Sequence, residues 1–295
     1  MNEALTDAYV PAEMAKRAEA SAIRKANRDF VSAFFLAVQA GSFIALGAAF
    51  YTLAVHDSSL GVGLTKLIGG LTFSLGLILV VIAGADLFTG DTLMVMGCFT
   101  GKIKVRQMLR SWLFVFLGNL AGALAMVAMV YFSGHWFNGS TAIGAKALAI
   151  ADHKVNLTLT QAFSSGMLCN ILVCLAIWLC YSARTVTDKI MAILFPITAF
   201  VAMGFEHSIA NMYFIPAGLV LKHNPEIITM MNGADLSNLT INGFVFRNLL
   251  PVAAGNMVGG AIFVGAVYWI LYLRKPSPQP LSEASETLTP DWRTS

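Results

Sequence analysis

Charge is the scarce commodity in this chain. Only 12% of its 295 residues are Asp, Glu, Lys or Arg, against 57% hydrophobic, where soluble domains carry roughly a quarter charged. The mean hydropathy of +0.70 excludes an ordinary soluble fold. Metal and redox motifs are missing too. Cys98 stands alone, and Cys169, Cys174 and Cys180 are spaced five and six residues apart on one apolar stretch, matching neither C-x-x-C nor a zinc pattern. The five histidines form no H-x-x-x-H pair. No metal site and no cofactor is therefore expected. The first 29 residues are charged throughout, with no apolar core leading to a small-residue cleavage site, so no cleavable signal peptide is expected. The paired N-P-A motifs of a glycerol-type pore are absent.

What the chain has is six apolar stretches, at 30–54, 64–96, 108–137, 158–183, 189–221 and 243–273. Each reaches the roughly 20 residues that a membrane-spanning helix needs. They predict an all-α membrane protein lying in a lipid bilayer. Its parts are a segment at 1–29, a six-helix channel domain at 30–273 and a Pro-, Ser- and Glu-rich tail at 274–295 expected to be disordered. Of the 19 Lys and Arg, 14 fall on one side of this topology. The positive-inside rule then puts both termini in the cytoplasm, and the net charge of +3 reflects topology, not a nucleic-acid partner. Positions 11–29 read as an Ala-, Lys- and Arg-rich helix, either solvated or lying on the inner membrane surface. The residues do not say which cytoplasmic partner, if any, it meets.

Two of the six stretches are interrupted at matching places. The second breaks at Gly84-Ala-Asp86-Leu-Phe-Thr89-Gly90-Asp91 and the fifth at Gly204-Phe-Glu206-His207-Ser208-Ile-Ala-Asn211. Irregular backbone at membrane depth survives only inside protein or along a cavity, and paired broken spans mark a transport site. The third and sixth stretches share a further pattern, Gly118-Asn-Leu-Ala-Gly122 against Gly255-Asn-Met-Val-Gly259. Spans 1–3 and 4–6 thus look like two copies of one unit. Three spans is an odd number, so the copies are inverted and their breaks face each other near the midplane. Small-xxx-small pairs such as Gly118/Gly122 and Gly255/Gly259 suit close helix packing.

Gly84 and Gly204 are natural left-handed helix stops, and Asp91 and Ser208 are natural N-caps for helices that restart. Restarted N-termini favour anions, with the amides of Ile209, Ala210 and Asn211 lying beside His207. Asp86, Glu206 and Asn211 are expected to brace the breaks, the two carboxylates by accepting backbone N–H bonds, with proton relay or substrate contact as their alternative. His207 is the one near-neutral titrating side chain inside a break. It is read as lending a proton or a charge to a passing anion, against the reading of a satisfied core histidine. Thr89 offers a hydroxyl to the same substrate, and Asn170 offers either that or an interhelical hydrogen bond. Lys154 is read as steering anions or as an ordinary surface lysine. Phe73, Leu77, Leu87 and Phe200 flank the breaks as candidate apolar constrictions. An enzyme built on Asp86, Glu206 and His207 would need a nucleophile or metal that the spacing does not supply.

The strings Gly84-Ala-Asp-Leu-Phe-Thr-Gly90 and Gly204-Phe-Glu-His-Ser-Ile-Ala-Asn-Met212 resemble the two signature segments of the formate–nitrite transporter family, closest to its formate-channel branch. Lys66-Leu-Ile-Gly-Gly70, Phe73-Ser-Leu-Gly-Leu-Ile-Leu79, Ala151-Asp-His-Lys-Val155 and Tyr268-Trp269 carry the resemblance over about residues 8–275. It implies an aquaporin-like protomer in a homopentamer, in the bacterial inner membrane, with a pore in each protomer. The implied traffic is pH-dependent, bidirectional passage of formate or a similar small monovalent anion with protons, nitrite or hydrosulfide being the alternative. It puts the central histidine on His207 and its threonine on Thr89. The inner slit falls on Leu77 and Phe73, the outer constriction on Leu87 and Phe200, the vestibular lysine on Lys154, the pore asparagine on Asn170, and a flexible gating loop on Thr89–Met96. Gly90-Asp91 departs from the Ser-Thr expected there and adds a carboxylate to that loop.

Overall fold

The computed structural model describes residues 7–138 and 141–274; the proposed tail from 275 onward lies outside them. The described chain is helical, and no strand occurs among the described residues. Five helices are long and apolar enough to cross a membrane: α2 (Phe30–Val55), α3 (Val62–Ala83), α6 (Val105–Phe132), α8 (Leu159–Ser182) and a last span over Gly243–Tyr272. The shortest, at 22 residues, rises about 33 Å, against a hydrocarbon core of about 30 Å. The fifth stretch divides into α9 (Val186–Ala202) and α10 (Ser208–Leu221). The last span contains π-helical stretches at Gly243–Leu249 and Gly259–Ala266 around α12 (Leu250–Val258), and ends in α13 (Val267–Tyr272). A multi-pass membrane protein follows.

Packing repeats between the halves. A Cβ on Gly122 of α6 would meet the Val38 carbonyl oxygen at 1.9 Å, and one on Gly259 would meet that of Met167 at 2.2 Å. Glycine is thus required where α6 crosses α2 and where the last span crosses α8, at equivalent positions of the two copies.

α1 (Pro11–Ala26) exists as expected, with one face docked on the other helices. Met14, Ala15 and Ala18 are buried in a cluster with Met96 and Trp178. Among the described residues, two further α-helices fall outside the six stretches: α7 (Ala142–Val155), which connects the third and fourth spans and carries Lys146 and Lys154, and the short α11 (Pro225–Met230) ahead of the last span. α2 begins at an N-cap, Asp29, whose side chain accepts the Ser32 N–H at 2.9 Å; that bond holds the Asp29 carboxyl below its ordinary value.

Candidate functional site

Both breaks begin as the glycines dictate. Gly84 ends α3 at φ 82°, and Gly204 follows α9 at φ 75°, a left-handed backbone that side chains resist. The restarts differ from expectation. The first resumes as the single turn α4 (Phe88–Asp91), continued by a 3₁₀ turn at Thr92–Met94 and by α5 (Val95–Phe99). Its N-cap is Leu87, and Asp91 is its last residue. In the second, Ser208 is already helical and His207 is the N-cap, its Nδ1 accepting the Ala210 N–H at 3.1 Å.

The amides expected to face an anion are largely taken. The Phe88 N–H donates to Asn119 Oδ1 at 3.0 Å, and the Ser208 N–H to Asn256 Oδ1 at 2.9 Å. Each asparagine also donates twice: Asn119 to the carbonyls of Ala37 and Asp86, Asn256 to those of Gly166 and Glu206. The repeated Gly-Asn pair is therefore a clamp. One side chain closes each restarted helix, satisfies its first amide and a carbonyl of the break, and ties that break to a helix carbonyl of a neighbouring span. Ala210 is held by His207, and the Asn211 N–H donates to the His207 carbonyl.

The carboxylates are braced by side-chain cations and amides, not by the backbone N–H groups expected. Asp86 pairs with Arg28, and at 3.2 Å with Lys25; Lys25 also pairs with Asp91. Glu206 accepts from Lys154 Nζ at 2.7 Å, from Asn211 Nδ2 at 2.6 Å and from Asn248 Nδ2 at 3.2 Å. Lys154 is thus a largely buried lysine lining a cavity and not a surface one, its side chain 12% exposed and its ammonium 5.3 Å from the Phe214 ring centre.

Two cavities approach the breaks from opposite ends. One, of 680 Å³, is lined by Arg24, Lys25, Arg28, Asp86, Leu87 and Asp91 among others, and the second, of 320 Å³, by Lys66, Phe73, Lys154, Phe200, Glu206 and His207. Lys66 of the second and Gly84 of the first lie on the same helix about 27 Å apart. Between the cavities His207 Nε2 lies 3.0 Å from Thr89 Oγ1, both side chains buried. Because Nδ1 accepts the Ala210 amide, the hydrogen-bond network assigns the proton of a neutral ring to Nε2, where it donates to Thr89. The His207 ring stacks on Phe200 at 5.9 Å, and Phe200 meets Phe73 edge-on at 5.8 Å.

The four apolar residues group differently from the pairs that the resemblance implied. Phe73 and Phe200 face each other at the second cavity, Leu87 lines the first, and Leu77 lies one turn of α3 beyond Phe73 toward it. Asn170 lines neither cavity. Its amide donates to the Thr89 carbonyl at 3.1 Å, to Thr92 Oγ1 at 3.1 Å and to the Asn256 carbonyl at 2.7 Å, which is the interhelical alternative. In the expected gating loop, Gly90 lines the first cavity and Asp91 is buried. Asn119, Asn256, Asn248, Lys25 and Arg28 were not singled out from the sequence as site residues; the duplicated Gly-Asn was the available signal for the first two.

A buried polar pair at the meeting of two inverted halves, with a basic cavity on either side, defines a transport protein of the broken-helix channel class. The comparisons make this specific. A family model described as formate/nitrite transporter matches residues 12–270, and the chain belongs to that family. It is 43% identical over 274 residues to the formate channel FocA of Escherichia coli strain K12, covering 91% of this chain and 96% of that one. To formate channel FocA of Haemophilus influenzae it is 44% identical over 265 residues, covering 88% and 93%. Among solved structures, a pentameric formate channel with formate bound matches with a TM-score of 0.75 at 41% identity, covering 83% of this chain and 98% of that one. An FNT family ion channel matches at 0.74 and 31% identity, over 88% and 98%. These relatives are channels and transporters, not enzymes, and this chain is read in the same class.

Proposed function

We propose that each protomer of this chain, within a homopentamer in the bacterial inner membrane and with both termini cytoplasmic, passes formate in either direction in a pH-dependent way. The observation that carries the reading is the 3.0 Å contact of His207 Nε2 with Thr89 Oγ1, the one point at which the two breaks touch through titratable and hydroxyl groups between the cavities. Lys154 and the basic lining of both cavities concentrate the anion. A bare carboxylate entering the apolar zone of Phe73, Phe200, Leu77 and Leu87 pays a large desolvation cost. The Nε2 proton of His207, shared with formate as it displaces the Thr89 contact, lowers that cost, while Thr89 Oγ1 holds a formate oxygen. Asn170 and Asn211 keep the frame of the site, and Gly90 and Asp91 border its entrance from the first cavity.

The relatives named formate channels support formate over nitrite and hydrosulfide, the alternatives within the family. The test is flux in proteoliposomes for formate, nitrite, hydrosulfide and glycerol across a pH step. Saturable formate flux that responds to pH is the expected result. Faster nitrite or hydrosulfide flux replaces the substrate, and flux of glycerol alone sinks the anion mechanism.

A further inference from the structure

Aligning the breaks on Gly84 and Gly204 pairs Asp86 with Glu206, Phe88 with Ser208 and Asp91 with Asn211. The Asn119 and Asn256 clamps obey this register, since they hold Phe88 and Ser208 respectively. In the second break, the residue five positions past the carboxylate reaches back to it directly: Asn211 Nδ2 donates to Glu206 Oε2 at 2.6 Å. In the first break that residue is Asp91, whose side chain has no N–H to donate, and two ionised carboxylates cannot bond each other. Lys25 of α1 stands between them, on Asp91 Oδ1 and on Asp86 Oδ1. The other Asp91 oxygen, Oδ2, is buried with no hydrogen-bond partner among the described residues.

We propose that the Lys25 ammonium takes the place of the missing amide donor, which makes Lys25 a positioning residue for Thr89. Asp91 closes the turn Phe88–Asp91 that presents Thr89 to His207. Its backbone carbonyl is already held by Trp112 Nε1 at 2.9 Å, and Lys25 fixes its side chain. The second break completes this link from within its own segment; the first borrows the donor from a helix about 60 residues earlier in the chain. An Asn at 91 would restore the self-contained form.

The inference rests on the proposed role of Thr89, and its test has a readout that needs no substrate. Hydrogen exchange over residues 88–96 is measured by mass spectrometry on the assembled full-length protein. Lys25→Met is expected to speed exchange there roughly tenfold, one order in the local opening equilibrium, while residues 204–215 keep the wild-type rate. Adding Asp91→Asn to Lys25→Met is expected to return the rate to within about twofold of wild type, because the new amide reaches Asp86 as Asn211 reaches Glu206. Adding Asp91→Leu removes the same charge without supplying a donor and is expected not to restore it. Unchanged exchange in Lys25→Met, restoration by neither second substitution, or equal restoration by both overturns the proposal. Formate flux is expected to fall and recover with exchange across the series; flux indifferent to it overturns the positioning of Thr89. If the wild type passes no formate while the exchange pattern holds, the formate reading alone fails.

Discussion

The two breaks share a clamp and differ in how they hold their carboxylate. Asn119 and Asn256 make the same three bonds in each half, one accepted from a restarting helix and two donated to carbonyls of the break and of a neighbouring span. Around that clamp the second break is served by α7 and its own Asn211, the first by Lys25 of α1 and by Arg28 between α1 and α2. The capping residue differs as well: Leu87 offers the first restart no side-chain acceptor, whereas His207 caps the second with Nδ1 and turns Nε2 to Thr89. The duplicated part is the backbone support, and the part that changed between copies is the chemistry. The symmetric element makes irregular chain tolerable at depth, and in the proposed mechanism the asymmetric element supplies the chemistry.

The comparison can be broken first at its charged members. Lys154→Met leaves Glu206 buried without its cation, a loss of about 3–5 kcal/mol for a buried pair cut on one side; thermal unfolding in detergent should show a marked fall. Substituting the clamps tests the symmetric part. Asn119→Ala and Asn256→Ala each orphan one restart amide and one break carbonyl and remove a further bond to a helix carbonyl, and each should cost about 3 kcal/mol at roughly 1 kcal/mol per bond. Near-equal losses support the duplication, and a loss confined to one half contradicts it. Smaller again are the helix crossings: Gly122→Ala and Gly259→Ala push a methyl into a carbonyl oxygen of the same chain, for about 1–3 kcal/mol of overpacking, read as a lower melting temperature. Gly90→Ala is the control. Its Cβ would meet only Ile177 Cγ1, at 3.7 Å, so a melting temperature close to wild type is expected, within about 0.5 kcal/mol of unchanged stability.

Much of this architecture was legible in the residues. Gly84 and Gly204 announce themselves because a left-handed stop at a helix end favours glycine so strongly, and the Gly-Asn repeat revealed the two copies. Its meaning was not legible, since Asn119 and Asn256 hold amides 31 and 48 residues away. Propensity misplaced both N-caps for the same reason: Asp91 and Ser208 are good caps in isolation, but the clamps fix Phe88 and Ser208 as the first residues of the restarts and so move each cap one residue ahead of them. Asn170 could be read two ways, and only the bonds to Thr89, Thr92 and Asn256 decide between them. α7 was missed because Ala142–Val155 mixes apolar, small and charged residues at a length too short for a span. The cationic partners of Asp86 and Asp91 are Lys25 of α1 and Arg28 just past its end, and the docking of α1 depends on a buried face that composition alone does not reveal.

The most direct test of the His207 mechanism is formate flux across a pH step in proteoliposomes carrying His207→Asn. Asparagine keeps a side-chain acceptor for the Ala210 amide, since it is a strong N-cap, and removes the ring whose Nε2 proton faces Thr89. Loss of the pH-linked component of formate flux in an intact assembly is the predicted result. Flux with wild-type rate and pH response would contradict it and take His207 out of the mechanism.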